Sequence, residues 1–324
     1  MEQVDFLWEI FFMELSLRSD PVLAFQCMKI AFVGASGYGN VGDDTYPLVF
    51  AQHLPEHELV IYNSDLPTSL SEDLDMLVMG GGGIVYNHGK EIAAGMESPH
   101  FRCMKFYMDE AIQRRIPWGF LSCGFQFQFN GDEDDVSGLQ PWAPYLRQAH
   151  FITLRSPRCV CIAQELSGRE DVVFAPDAAY LYRPEIVTSV DDMRSITLVP
   201  AGLVNARNAL INHYLRQFAA SGMSVTWLGM GAPADNDKLL AEVAESFPQA
   251  QIIASPGPQV AIETIARSRF VIAGRYHGMV FARTSRVPFI TPVDAPYKIR
   301  MENLEENISA AATHFEVLRR YIPC

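Results

Sequence analysis

"FVGASGYGNVGDDTYP", residues 32–47, follows an apolar run and packs four glycines and two aspartates into a passage from strand to helix. Gly37, Gly39 and Gly42 satisfy G-x-G-x-x-G, the spacing that seats a pyrophosphate on a helix N-terminus. Two features oppose that use. Asp43 and Asp44 fall in the first helical turn, where carboxylates complement the helix dipole and repel a phosphate. The next strand candidate, LVIYN, ends on Asn63 in place of the acid that would hold a ribose, and Asp65 comes two residues late. The stretch reads as a tight turn, plain or flooring a sugar-side or interdomain pocket, and not as an NAD site.

Outward from that turn, short apolar runs alternate with amphipathic stretches, the pattern of a parallel sheet. Strands are expected at KIAFVG (from 29), LVIYN (59), DMLVMG (75), WGFLSCG (118), HFITLR (150) and VVFA (172). Helices fit at 102–115 and over SPRCVCIAQELSG, with Ser156 as N-cap and Gly168 as stop. The stretch 182–195 carries Pro and acids without periodicity and reads as a linker. The cycle restarts with SITLVPAG, SVTWLGMG, AQIIAS, RFVIAG and PFITP, with helices at 204–220, 235–247, 258–267 and 276–286. The fold class is thus α/β: two Rossmann-like domains with mostly parallel sheets, 28–185 and 193–324, the second including a C-terminal helix. Strand C-terminal ends in such units face a cleft where ligands collect.

The 324-residue length suits two domains of about 150 residues each. A net charge of -13 argues against nucleic-acid binding while leaving room for a local basic pocket for one small anion. Six cysteines without C-x-x-C spacing point to reduced thiols in a cytoplasmic setting. Residues 1–27 are apolar, but Glu9, Glu14, Arg18 and Asp20 interrupt any run long enough for a membrane span. They read as an over-extended start or an added amphipathic helix without a chemical role.

Three further segments carry candidate chemistry. In LVMGGGGIVYNHG, consecutive glycines including Gly81, Gly82 and Gly83 allow a carboxylate or phosphate to touch bare backbone N–H groups, or simply line a domain contact. In FVIAGRYHGMVFARTSRVPFITPVDAPYK, Arg275 and His277 stand at the N-terminus of a helix whose N–H groups face the cleft. Arginine grips an anion with two parallel bonds, and histidine moves protons near neutral pH. Lys298, after the following strand, adds positive charge. From the first domain Arg155 ends HFITLR, and Asp177 in FAPDAAYLY is a loop cap, a base or an orienting partner. The other histidines show no metal spacing and read mostly as surface or turn residues, His88 beside the glycines being the one to watch.

GYGNVGDD, MGGGG, ITLRSPRCVCIAQELSG, VVFAPDAAYLY and GRYHGMVFARTSRVPFITPVDAPYK, in this order over about residues 28–300, resemble the polysaccharide pyruvyl transferase family. The resemblance implies a two-domain GT-B-like plan and transfer of a pyruvyl group from phosphoenolpyruvate to a sugar of a cell-surface polysaccharide or its precursor, as a ketal. It implies His277 and Arg275 as catalytic residues, with Arg155 and Lys298 on the donor's anionic groups. Gly81, Gly82, Gly83, Asn40, Asp43, Asp44 and Asp177 complete the expected substrate site. No metal or cofactor is expected, and an oligosaccharide or lipid-linked glycan is the expected acceptor. The expected location is the cytoplasm, free or at the inner membrane face. Two positions depart from the family pattern: Ser156 stands where Arg-Asp-x-x-Ser has its acid, and Tyr276 replaces the usual leucine before His277. Rival readings are a GT-B glycosyltransferase using a nucleotide-sugar, with Glu263 as its ribose ligand, and a non-catalytic glycan binder.

Overall fold

In a computed structural model of the chain, residues 27–63, 67–87, 97–126, 136–184, 195–200, 209–237, 248–291 and 309–322 are described. Residues 185–194 of the expected linker fall outside them, as do residues 1–26, His88 and Lys298.

Two parallel sheets carry the fold. The first contains β1 (Lys29–Gly34), β2 (Glu58–Asn63), β3 (Met76–Val85), β4 (Trp118–Phe125), β5 (Phe151–Leu154) and β6 (Val173–Phe174), in the order β2-β1-β3-β4-β5-β6. The second contains β7 (Ser195–Val199), β8 (Ser224–Leu228), β9 (Gln251–Ile253), β10 (Ser268–Ala273) and β11 (Phe289–Ile290), in the order β11-β10-β7-β8-β9. Every expected strand exists. Strand order reverses between β1 and β3 in the first sheet and between β7 and β10 in the second. At such switch points the connections leave in opposite directions and open a crevice beyond the strand ends.

Two features depart from the sequence reading. The glycines at 80–83 do not leave the strand as a loop: β3 runs through them to Val85, with Gly81 and Gly82 at φ 71° and 78°. The last helix, α8 (Thr313–Arg319), packs on the first sheet, not the second. Its Phe315 ring meets Phe50 and stacks on His53, and the Arg319 guanidinium donates to the His53 carbonyl.

The helix that follows β1, α1 (Val41–His53), joins the two units. Its buried residues Val41, Gly42, Thr45, Tyr46, Val49 and Phe50 repeat every fourth position and so form one face. The Val41 amide, one of the donors left over at a helix start, bonds to the Met230 carbonyl beyond β8. Pro233 lies so close to Gly39 that a Cβ there would come within 2.9 Å of it. The opening stretch is therefore a contact between the units.

Candidate active site

The glycine turn after β1 explains its own acids. Asp44 accepts a hydrogen bond from the Gly37 amide at 2.6 Å, and the amides of Gly39 and Tyr38 also serve it. The chain's own carboxylate thus occupies the amide cradle that a pyrophosphate would need. Burial raises the Asp44 pKa and the three amides counter it. Asp44 was expected in the substrate site; its carboxylate is instead directed into this loop.

Asp177 is the centre of the site. It is fully buried between β6 and the 3-10 turn Ala178–Leu181, and accepts from the Ala179 amide at 2.9 Å. Arg155, following β5, donates through Nη1 to Asp177 Oδ2 at 2.7 Å and to the Tyr46 hydroxyl at 2.9 Å. The Tyr46 hydroxyl lies 2.8 Å from both Asp177 oxygens. His277, on the first turn of α7 (Tyr276–Thr284) in the second unit, brings Nε2 to 3.4 Å from the Tyr46 hydroxyl and 3.7 Å from Asp177 Oδ2. Burial alone would raise the Asp177 pKa; Arg155, His277, the Ala179 amide and the Tyr46 hydroxyl hold it below the ordinary carboxylate value. Burial likewise opposes charge on Arg155, yet the Tyr46 and Asp177 oxygens keep its pKa well above that of an ordinary arginine.

Glycines give these side chains room. A Cβ at Gly42 would stand 1.8 Å from His277 Nδ1, at Gly81 2.2 Å from Tyr46 Cγ, and at Gly124 2.6 Å from Arg155 Nε. At Gly82 it would meet the Asp43 Oδ1 oxygen at 2.4 Å, and at Gly231 Arg275 Nη2 at 2.2 Å. Gly81 and Gly82 therefore give room to Tyr46 and Asp43; of the two readings open from sequence, a ligand on bare backbone or a glycine-lined contact, this geometry matches the contact. Gly83 stands beside the Gln126 side chain, whose Nε2 donates to its carbonyl.

Asp43 is half-buried in the first turn of α1, with Oδ2 accepting from Asn40 Nδ2 at 2.6 Å. Burial pushes its pKa up to about 7; Asp177 and Asp44 add to the rise, Arg155 and Arg275 oppose it. Arg275 is the N-cap residue of α7 and crosses the second switch point, donating through Nε to the Pro200 carbonyl beyond β7 at 3.1 Å. Asp235 stands 3.9 Å from its Nη2. Burial pulls the Arg275 pKa below the ordinary value, partly offset by Asp235 and Asp43; a guanidinium stays charged at neutral pH even so.

Arg155, Asp177, Asp43, Asn40, Arg275 and His277 are thus brought to the two crevices, which meet across α1. Tyr46 was missed, although it lies one helical turn after Gly42 and so on the same face. The Tyr276 departure has a partner, since the Arg155 guanidinium lies 5.3 Å from its ring centroid. His314 is an exception to the reading of the other histidines as mostly surface or turn residues: it is fully buried on α8. Its Nε2 is 2.7 Å from the Pro176 carbonyl and its Nδ1 2.6 Å from Thr153 Oγ1. A carbonyl only accepts, so Nε2 carries the hydrogen and Nδ1 accepts from Thr153. Burial holds its pKa down to about 4, with the Pro176 carbonyl and Asp177 acting in opposition. Ser122, at φ 55° where β4 slips register, receives the Ala178 amide at 2.9 Å. The residues on both sides of Asp177 are therefore tied down. Among the described residues no group of three His, Cys, Asp or Glu side chains could hold a metal ion, and no helix is long and apolar enough to cross a membrane.

Paired parallel sheets, each with a switch point in its strand order, define a two-domain α/β protein of GT-B-like plan. Three solved structures share it: S. aureus MnaA with UDP (TM-score 0.55, 11% identity, covering 91% of this chain and 89% of that one), a UDP-N-acetylglucosamine 2-epimerase described as putative from Listeria monocytogenes (0.53, 11%, 91% and 90%), and the Neisseria meningitidis UDP-GlcNAc 2-epimerase bound to UDP-GlcNAc (0.52, 9%, 91% and 93%). At these identities the likeness concerns the fold. A comparison with curated protein sequences finds no match. The family profile of polysaccharide pyruvyl transferase matches residues 49–294, and the chain belongs to that family.

Proposed function

We propose that the protein transfers the pyruvyl group of phosphoenolpyruvate to two hydroxyls of one sugar in a glycan acceptor, forming a ketal and releasing phosphate. The observation that carries this reading is the meeting of Arg155 and Asp177 from one unit with His277 from the other, 3.7 Å between Asp177 Oδ2 and His277 Nε2. Ketal formation needs a proton delivered to the methylene carbon, and His277, oriented by Asp177 and Tyr46, supplies it. Arg275, with Lys298, holds the carboxylate and phosphate. Arg155 adds its field from beside Asp177, and stabilising charge that develops in the transition state is commonly the larger catalytic contribution. Asn40 and the carboxylate of Asp43 suit the acceptor hydroxyls.

The test is phosphate release from phosphoenolpyruvate across a panel of acceptor glycans, with the ketal product read by mass. His277→Ala is expected to lower turnover by about 10²–10⁴-fold with an unchanged melting temperature; full turnover by this variant overturns the role. Thermal shifts with phosphoenolpyruvate against UDP-sugars separate the reading from a nucleotide-sugar enzyme, whose expected ribose ligand, Glu263, here accepts from Gln259 on its own helix.

A further inference from the structure

Ketal synthesis moves more protons than one histidine handles without an intervening exchange. The methylene carbon gains a proton, two hydroxyls each lose one, and phosphate leaves carrying one. Resting on the reading above, we infer that Asp43 is the second proton carrier of the site, working opposite His277 across Gly42.

The two neighbouring acids differ in where their oxygens go. Asp44 is spent on the amides of its own loop, one of them at 2.6 Å. Asp43 has one oxygen pinned by Asn40 Nδ2, while the other lies over Gly82, where β3 carries no side chain and φ is 78°. It stands next to Gly42, against which the His277 ring lies, and Asp177 is a charged neighbour of both side chains. The charged groups around Asp43 are Arg155, Asp177, Asp44 and Arg275, two of each sign, which leave the carboxyl free to change its charge without stranding a partner. A pKa near 7 makes both forms accessible under neutral conditions.

The assignment closes as a cycle. The first hydroxyl adds to the donor's C2, its proton passing to Asp43 while protonated His277 gives a proton to the methylene carbon, which becomes a methyl group. The C2–O bond to phosphate then breaks, its electron pair leaving with phosphate, which takes the proton from Asp43. The second hydroxyl attacks C2 and yields its proton to His277. Both side chains return to their starting states. One trianionic phosphoenolpyruvate and one diol have become one ketal carboxylate and one hydrogen phosphate.

The experiment compares wild type, Asp43→Asn and Asp43→Ala in steady-state phosphate release with phosphoenolpyruvate and an active acceptor between pH 5.5 and 9, alongside melting temperature over the same range. Asp43→Asn is expected to lose about 10²–10⁴-fold in kcat, with KM for phosphoenolpyruvate within about threefold and the pH limb near 7 abolished; formate is expected to restore part of the activity of Asp43→Ala. Burial disfavours the ionised form, so native Asp43 binds its proton more tightly than in the unfolded chain. Its cost therefore appears as pH rises from 3.8 towards 7 and is complete above that. Asp43→Asn, without that cost, should melt higher than wild type above pH 7, the gain shrinking on acidification. Asp43→Asn with kcat within threefold of wild type and the same pH limb overturns the inference. Wild type that releases no phosphate with any acceptor overturns the parent reading and this one with it, and the melting comparison then shows separately whether Asp43 titrates near neutrality.

Discussion

Two arginines face the same region from opposite units, and each rests on a glycine, but they are held differently. Arg155 is locked: Nη1 reaches Asp177 at 2.7 Å and Tyr46 at 2.9 Å, Tyr276 lies against the guanidinium, and only 13% of the side chain is exposed. Arg275 has a backbone carbonyl at 3.1 Å and a more exposed carboxylate at 3.9 Å. A buried charge already neutralised belongs to the architecture, whereas one held mainly by a neutral carbonyl retains the capacity to bind an anion. On the proposed reading, Arg155 builds the site and Arg275 binds the donor.

The largest effect that tests this contrast is on stability. Arg155→Met takes the hydrogen-bonded guanidinium from buried Asp177 and leaves it His277 at 3.7 Å as its charged neighbour, which is expected to cost about 3–5 kcal/mol in urea unfolding at pH 7. Arg275→Met should cost under about 1 kcal/mol while abolishing donor binding; equal destabilisation by both ends the distinction. Acid sensitivity comes next, and belongs to the Arg155 side. His314 is neutral in the fold with a pKa near 4 against 6.5 unfolded, so the unfolded chain binds the extra proton first as pH falls. Stability of about 3 kcal/mol is expected to drain away between pH 6.5 and 4, and His314→Gln should flatten that part of the profile. The smallest effect is on the glycines. Gly231→Ala presses the flexible end of Arg275 and should raise KM for phosphoenolpyruvate by roughly 3–10-fold, about 1 kcal/mol, without moving the melting temperature. Gly124→Ala meets Arg155 closer to its stem and should instead lower stability by about 1–3 kcal/mol.

The strands were legible because their apolar runs are short, separated by turn residues and β-branched, and the positions that end them, Arg155, Asp177 and Arg275, were legible with them. Position at a strand end says that a side chain reaches the crevice; it does not say what it meets there. Gly81 and Gly82 look from sequence like any ligand-touching loop, because the residues needing their space, Tyr46 and Asp43, lie more than thirty positions earlier. His314 was illegible for the same reason. Its partners Thr153 and Pro176 lie 161 and 138 positions earlier, in the middle of the chain, and a histidine on a short helix carries no local mark of burial.

The placement of α8 has a consequence for how the molecule is made. The first sheet leaves the ribosome early, yet the pocket between Thr153 and Pro176 receives its imidazole only when residue 314 has been synthesised. The domain translated first is completed last, so a truncated product carrying every side chain proposed for catalysis would still hold Asp177 on an unfinished foundation.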